Sequence, residues 1–427
     1  MITLALSMTL FSLFLHDVEA QEATNKKHAM AGQKAQHTMP MKHNAKAAKH
    51  NPAGGGGHGM VVQGLDKFPT TAYQGSPETR PIEKVKAPSM QGNVSKGKKL
   101  AASPVGRCLT CHVLDQDGKQ PGNVGPNLSN FANLNRSDDY IFQQIWDARA
   151  HNPQTLMPPM GTNELLSKHQ IIHIVAYLKT LKTPITADVR ASKDKLNLLV
   201  AGRDFTLADT YIEQGEAIFN KAGKNGKSCA SYHQQDSNSL AAVAATFPKA
   251  NTDGQIINLE QQVNVCRQTR MDSHPFKLGS AHSNQVISYV KFLSRDVPIN
   301  VVTNEIERAA VIRGEELYSK KAGQLNFSCA DCHAKADDKW LRGQYLSSIK
   351  PTGTYSSTAA TWPRHFIAGH DLGLISLQQR IRHCQVVSRT HPLKLGSKEY
   401  TDIELYLTSL ANSEPMLAPT KSNLDLQ

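Results

Sequence analysis

The chain carries the spacing Cys-x-x-Cys-His twice. The two copies are Cys108, Cys111 and His112, and Cys329, Cys332 and His333. Because the cysteines of each copy are three residues apart, both thiols project from one side of a helical turn, where they can form thioethers to two vinyl groups. The histidine in the following position then faces the iron and supplies one axial ligand. The sequence therefore predicts two covalently bound haem c groups.

The sixth ligand of the first haem is predicted to be a methionine. Met157 stands directly before a proline, 45 residues beyond His112, and Met160 follows closely. A methionine in such a loop presents its thioether to the iron, and His/Met ligation raises the reduction potential, so that this haem would accept electrons. We expect Met157 to be the ligand, with Met160 as the second choice. Either methionine could instead fill a gap in the core.

The second haem is predicted to have a different sixth ligand, Cys384. No comparable methionine precedes the last helical segment, since Met416 lies after it. A thiolate ligand lowers the haem potential and leaves a nucleophilic sulfur beside a redox centre. Arg380 lies four residues earlier, so on a helix it would share a face with the thiolate and could bind an oxyanion bidentately. A structural cysteine next to a surface arginine is an equally open alternative.

A degenerate copy of the motif lies between the two complete ones. The run Cys229-Ala230-Ser231-Tyr232-His233 has a tyrosine where the second cysteine should stand. Cys266 occupies the position that Cys384 occupies later in the chain. In an oxidising compartment two cysteines without other partners should pair, so we predict a Cys229–Cys266 disulfide. A haem held by Cys229 alone is the less favoured alternative.

Three stretches of the chain follow one plan, which predicts an all-α fold of three tandem cytochrome c-like domains. Each opens with a glycine in an amphipathic segment, has the first cysteine of its motif 11, 14 or 15 residues later, and closes with a helix that contains a tyrosine. Ser167 is the expected N-cap of the first closing helix. The predicted divisions are a signal peptide (1–20), a tether (21–80), a first unit (81–190), a second unit (191–305) and a third unit (306–427).

The first 80 residues predict export and a flexible tether. Met1–Ala20 has the apolar run and small residues of a secretory signal, which places the mature protein in the periplasm without a membrane span. The tether is rich in His, Met and Lys and is expected to be disordered. Its imidazole and thioether groups could bind copper, although a solvated linker is the favoured interpretation. The net charge of +12 suits an anionic substrate, and no basic and aromatic patch indicates nucleic acid.

Taken together, these motifs resemble the thiosulfate-oxidising SoxXA cytochromes over about residues 90–412. The first unit is similar to SoxX, and the second and third units are similar to the two halves of SoxA. The segments that carry the resemblance are Cys108–His112, Met157-Pro158, Leu377–Cys384, Gly396-Ser397 and Glu404–Leu407. Two departures stand out. The subunits are fused here, and the haem site of the first SoxA half is absent, as in the mono-haem branch, where a disulfide replaces it.

The resemblance implies an L-cysteine S-thiosulfotransferase. Such an enzyme oxidatively joins thiosulfate to a cysteine of the SoxYZ sulfur-carrier protein and passes two electrons to a soluble c-type cytochrome. Cys384 would ligate the iron and receive thiosulfate, and Arg380 would neutralise the anion. Electrons would pass from the haem at His333 to the haem at His112 and Met157. The rival interpretations are a di-haem electron-transfer cytochrome without its own catalysis and a di-haem peroxidase.

Overall fold

A computed structural model describes most of the chain after the tether. The described residues are 80–115, 120–186, 207–233, 240–337, 339–342, 344–346, 348–349, 362–368 and 370–416. All of them belong to one compact unit, Val61–Gln427. The predicted signal peptide and the His/Met-rich segment with its possible copper ligands lie outside these residues. Within them, no helix has both the length and the apolar character that a membrane crossing requires.

The described residues are rich in helix, as the periodicity of the apolar residues predicts. The α-helices are α1 (Val94–Ala102), α2 (Cys108–Cys111), α3 (Asp138–Trp146), α4 (Lys168–Leu178), α5 (Leu207–Asn220), α6 (Cys229–Tyr232), α7 (Leu259–Met271), α8 (Ala281–Leu293), α9 (Glu305–Ser319), α10 (Leu377–Val387) and α11 (Lys398–Ser409). Shorter 3-10 segments cover Phe131–Leu134, Ala148–Ala150 and Ala244–Thr246, and a π-helix covers Asp331–Lys335.

Three small antiparallel sheets were not expected from the sequence. Their strands are β1 (Lys249–Ala250), β2 (Ile256–Ile257), β3 (Lys339–Leu341), β4 (Gln344–Leu346), β5 (Arg364–Ala368) and β6 (His370–Ile375), and each strand pairs with its neighbour in the chain. Most of these strands are too short to show the alternating pattern by which a strand is recognised in a sequence. The β5–β6 hairpin leads directly into α10, because Arg364 pairs with Ile375, two residues before that helix begins.

Each unit is built on a pair of crossed helices that meet at the repeated glycine. The contacts join Gly97 to the carbonyl oxygen of His173, Gly215 to that of Gln285, and Gly314 to that of Asp402. A Cβ at these glycines would lie 1.9, 2.1 and 2.2 Å from the respective oxygen, which no side chain could tolerate. In all three pairs the carbonyl belongs to the residue four positions before the tyrosine of the closing helix. The glycine and the tyrosine of the sequence pattern therefore mark one helix crossing.

The predicted face of the first closing helix is buried. Ser167 caps α4 in a capping box with Gln170, which confirms the expected N-cap. The buried side chains of this helix include the four that the periodicity selects, namely Ile171, Ile174, Val175 and Leu178. Full burial of an aliphatic side chain of this size contributes about 1.5–3 kcal/mol. This stripe therefore holds the helix against the core that also contains Ile141 and Phe142 of α3.

The third unit contacts both other units. Leu325 and Phe327 pack against the apolar core of the first unit. Beside them, the side chain of Asn163 donates to the carbonyl of Gln324 at 2.8 Å, and the Gln324 side chain donates back to the carbonyl of Asn163 at 3.3 Å. Toward the second unit, the Gln261 side chain donates to the carbonyl of Gly396 at 3.1 Å. The third unit is thus fixed between the first and the second.

Candidate functional site

The first Cys-x-x-Cys-His motif has the local geometry of a haem attachment site. Cys108 and Cys111 begin and end α2, so both thiols lie on one turn. Nδ1 of His112 lies 2.7 Å from the carbonyl oxygen of Pro126. A carbonyl can only accept, so Nδ1 carries the proton and Nε2 is left with a lone pair for a metal. Gly125 lies against this ring, since a Cβ there would be 2.3 Å from Cε1. These residues fit a covalent haem c.

The two candidate methionines of the first unit differ in their surroundings. Met160 is 6% exposed and belongs to the apolar core. Met157 is half-buried at the edge of that core, and its sulfur accepts a hydrogen bond from Nε2 of Gln144 at 3.8 Å. A thioether at the edge of the core is more easily presented to a cofactor than one that fills the interior. This arrangement favours Met157, and the choice of ligand stays a prediction.

A buried ion pair holds the loop that carries Met157. Asp147 is fully buried, and its carboxylate accepts hydrogen bonds from Arg149 at 2.6 and 2.8 Å and from Thr162 at 2.9 Å. Burial alone would raise the pKa of Asp147, but the bonds from Arg149 and Thr162 outweigh it and hold that pKa below its usual value. Because Thr162 lies just beyond the methionine loop, the pair fixes both ends of the segment.

The second motif continues into the π-helix, with a buried carboxylate at its centre. Asp331 is 1% exposed and accepts from the backbone N–H of Ser328 at 3.0 Å, while Lys335 lies 2.9 Å from the same carboxylate. Burial raises the pKa of Cys332 to about 12, and neighbouring thiols add to the shift, among them Cys384 and Cys111. Cys111 belongs to the first motif, so the two predicted haem attachment sites lie next to each other.

Cys384 lies on α10, where it meets the histidine of the second motif. A capping box of Ser376 and Gln379 starts this helix, and Arg380 follows one turn before Cys384. Burial of the thiol acts to raise its pKa, but the Arg380 guanidinium and a hydrogen bond from His333 outweigh burial and lower the pKa to about 7. The structure thus brings together three residues that the sequence predicts to act together. The thiol of Cys384 and the imidazole of His333 lie beside the cysteines of the motif, and both are residue types that could ligate the iron of a haem held there.

Arg364 is a buried arginine near Arg380 that the sequence did not indicate. Its side chain is 4% exposed, and its guanidinium carbon lies 4.9 Å from the centre of the Trp362 ring. Burial lowers the pKa of Arg364 to about 9, and the nearby charge of Arg380 contributes to this shift. Twenty residues of sequence separate Arg364 from Cys384, and the β5–β6 hairpin brings their surroundings together. In the sequence, an arginine directly after the apolar pair Trp362-Pro363 was the feature that could have indicated a buried guanidinium.

The second unit keeps the positions of the motif but not its chemistry. The hydroxyl of Tyr232 donates to the carbonyl of Arg270 at 2.7 Å, so this side chain anchors the end of α7 instead of binding a vinyl group. Cys229 and Cys266 are not bonded to each other in this structure. Burial raises the pKa of Cys229, and the proximity of Cys266 raises it further. The two sulfurs are therefore neighbours, and the disulfide stays a prediction.

Metal binding by other side chains finds no support in the part of the chain that the structure describes. No group of three or more His, Cys, Asp or Glu residues there is arranged to hold a metal ion.

Two parts of the chain match known cytochrome families. Residues 94–182 match the family described as Cytochrome c. Residues 214–299 match the family described as SoxA/TsdA, cytochrome c domain. The first match coincides with the unit that carries Cys108 and Met157, and the second coincides with the unit that has the degenerate motif. Covalent haem c is therefore expected on the grounds of family as well as motif.

Several curated proteins named L-cysteine S-thiosulfotransferase subunit SoxA are similar to this chain. The protein from Pseudaminobacter salicylatoxidans is 34% identical over 202 residues, which are 46% of this chain and 66% of that protein. The protein from Rhodovulum sulfidophilum is 26% identical over 215 residues, which are 50% and 71% of the respective chains. A crystal structure of SoxXA from P. pantotrophus has 27% identity, covers 48% of this chain and 75% of that chain, and has a TM-score of 0.44.

Proposed function

We propose that this chain, which is similar to SoxA proteins, is a haem enzyme that oxidatively joins thiosulfate to a cysteine of a SoxYZ-type sulfur-carrier protein. The observation that carries this proposal is the convergence of Cys384, Arg380 and His333 at one place. A sulfur whose pKa is about 7 is about half thiolate at neutral pH, far more than an ordinary cysteine, and the thiolate is the nucleophilic form. The relatives are covered over about two thirds of their length, so the activity of the whole protein is our inference.

The reaction balances when two electrons leave. The sulfane sulfur of thiosulfate forms a bond to the Cys384 thiolate, and the pair loses two electrons, which leaves a Cys384–S–S–sulfonate adduct. The carrier thiol then attacks the sulfane sulfur, the bond to Cys384 breaks, and the thiol proton is released. Bound haem supplies the acceptor for these electrons, which it takes one at a time. Arg380 neutralises the anion as it approaches, and its charge favours the thiolate form of Cys384.

The rest of the chain is proposed to carry the electrons away. We assign two haems, one held by Cys108 and Cys111 with His112 and Met157 as ligands, and one held by Cys329 and Cys332 with His333 and Cys384 as ligands. The contacts of the third unit with the first support a direct passage, since the side chain of Asn123 accepts from the backbone N–H of Trp340 at 2.7 Å. The final acceptor would be a soluble c-type cytochrome.

The proposal also includes the domain architecture of the chain and the cellular compartment in which it acts. The three crossed helix pairs support three tandem cytochrome c-like domains with the boundaries 81–190, 191–305 and 306–427, the second of them without haem and closed by a Cys229–Cys266 disulfide. A SoxX-like and a SoxA-like part would then be fused in one chain. Thioether formation and a disulfide both suit the periplasm. Fusion would fix the distance between donor and acceptor haems, in place of a second binding step.

The test is Cys384→Ala in the haem-loaded protein, with thiosulfate, the reduced carrier and a cytochrome acceptor. We expect carrier modification, read as an added thiosulfate mass, to fall to the uncatalysed level. Val386→Ala is the matched control, because this residue is exposed and lies two positions away on the same helix. A plain electron-transfer cytochrome would instead reduce its acceptor equally well in both variants. Turnover with hydrogen peroxide in the unmodified protein would favour the peroxidase interpretation.

A further inference from the structure

The surroundings of Cys384 contain more positive charge than the motif predicts. Arg364, Arg380 and Lys291 come from three separate elements, β5, α10 and α8. Besides the effect of burial, the charge of Arg380 lowers the pKa of the Cys384 thiol and that of Arg364. The charge of Arg364 in turn lowers the pKa of Lys291. The cations therefore form a continuous group that leads from the thiolate to the junction with the second unit.

The position of Arg364 is set by the backbone and by packing. It opens β5 opposite Ile375, and Ser376, the next residue, caps the helix of Arg380 and Cys384. The guanidinium lies against the face of the buried Trp362, which fixes its orientation. Arg380 and Cys384 are themselves partly exposed. Arg364 is thus a buried cation whose neighbour is the partly exposed Arg380, and Arg380 in turn is the cation that acts on the Cys384 thiol.

Two nearby carboxylates, those of Glu404 and Glu260, act on Lys291. Burial lowers the pKa of Lys291 to about 8, while Glu404 and Glu260 act in the opposite direction and Arg364 lowers it further. Glu260 is also bound by the hydroxyl of Ser283 at 2.7 Å, and Glu404 by the amides of Asn258 and Gln378 at 3.0 and 2.7 Å. The carboxylates are therefore held at the junction of the two units, where they balance the lysine.

We propose that Arg364 is a second anion-binding residue, which together with Arg380 holds the sulfonate oxygens of thiosulfate while its sulfane sulfur lies against Cys384. This inference rests on the proposed function and names the residue that would orient its substrate. A guanidinium offers planar, paired donors that suit an oxyanion, and a doubly charged anion is best matched by two of them. An anion between Arg364 and Arg380 would also relieve the repulsion between the two side chains.

The experiment compares Arg364→Gln, Arg364→Lys and the control Arg382→Gln in the haem-loaded protein. Arg382 is exposed on the same helix as Arg380. Thiosulfate affinity is measured by calorimetric titration, thiosulfate KM and kcat at saturating carrier, and haem content and the midpoint potentials by absorption spectroscopy. We expect the glutamine variant to weaken thiosulfate binding and raise its KM about 10- to 100-fold, the loss of a charged hydrogen bond. The lysine variant should lose less, and the control should match the unmodified protein.

Two results would overturn the assignment. One is an unchanged thiosulfate affinity in both variants of Arg364, of which the lysine variant stays informative if the glutamine variant does not fold. The other is a loss of haem or a shifted potential at unchanged thiosulfate affinity, because Arg364 would then hold a haem carboxylate. If the unmodified protein binds thiosulfate through Arg364 but does not modify the carrier, the proposed function fails while the anion site stands.

Discussion

The second and third units have the same helix caps and polar contacts at corresponding positions. Helices α7 and α10 begin with the same capping box, made by Asn258 and Gln261 in one and by Ser376 and Gln379 in the other. One residue into each helix, a side chain accepts from a glycine N–H at 2.8 Å, Glu260 from Gly279 and Gln378 from Gly396. Such matched polar contacts at corresponding positions indicate a duplicated unit.

The same comparison shows where the two units diverge. At the position of Arg380 the second unit has Gln262, whose amide donates to the sulfur of Cys266 at 3.4 Å. At the position of Cys332 it has Tyr232, which bonds to the backbone. An amide brings no charge to a thiolate, whereas a guanidinium does. The two units therefore place a sulfur at the same position, and the residue one helical turn before it determines whether a neutral amide or a guanidinium acts on that sulfur.

The largest expected effect comes from making the third unit like the second. Arg380→Gln removes the charge that offsets burial of the thiol, so the pKa of Cys384 should rise from about 7 toward or above its ordinary value. Thiolate at neutral pH and anion binding would both fall, and we expect carrier modification to slow about 100- to 1,000-fold. The readouts are the rate of carrier modification and the pH dependence of alkylation of Cys384 in protein prepared without haem.

Gln262→Arg is the reciprocal control for that prediction. It places the same guanidinium one turn before Cys266, in a unit whose motif lacks the second cysteine. We expect no gain in carrier modification from this variant when Cys384 is replaced. Activity that appears at Cys266 would contradict the view that charge and haem position must coincide.

A smaller effect is expected from the cysteines of the second unit. If Cys229 and Cys266 form a disulfide in the exported protein, Cys266→Ser opens a loop of 37 residues in sequence separation and should cost about 2–4 kcal/mol of unfolding free energy. Carrier modification by the folded protein should not change. Denaturant unfolding and thiol counting without reductant measure this, and two reactive thiols in the unmodified protein would refute the bridge.

Local features of the fold were predictable, and contacts between distant segments were not. The N-cap at Ser167 and the shared face of Arg380 and Cys384 follow from spacing alone, since a helix fixes both. Arg364 was missed because a hairpin, and not a helical repeat, sets its position. The sequence ranks Met157 above Met160 by its position before a proline, but it does not show how deeply each side chain packs into the core.

The smallest expected effect is on stability, and it concerns the contact between the second and third units. Glu307 of α9 accepts from the backbone N–H of Ala250 in the second unit at 3.0 Å and from that of Thr303 at 2.7 Å. Burial raises the pKa of Glu307, but these hydrogen bonds lower it more, so the net pKa is below its ordinary value of 4.5. A lowered pKa in the folded state means that this carboxylate stabilises the protein above that ordinary value, and that the gain is lost as the pH falls through the folded-state pKa.

Glu307→Gln should therefore cost about 1–3 kcal/mol at pH 7 and remove this contribution to the acid dependence of stability. Glu305→Gln is the matched control, two positions away on the same helix, where the carboxylate is exposed and pairs with Arg308 at the surface. Exposed pairs contribute little, so its unfolding curve should match that of the unmodified protein. Denaturant titrations at pH 7 and pH 4 provide the measurement. Equal loss in both variants would mean that the hydrogen bonds of Glu307 stabilise the contact between the two units no more than an exposed ion pair does.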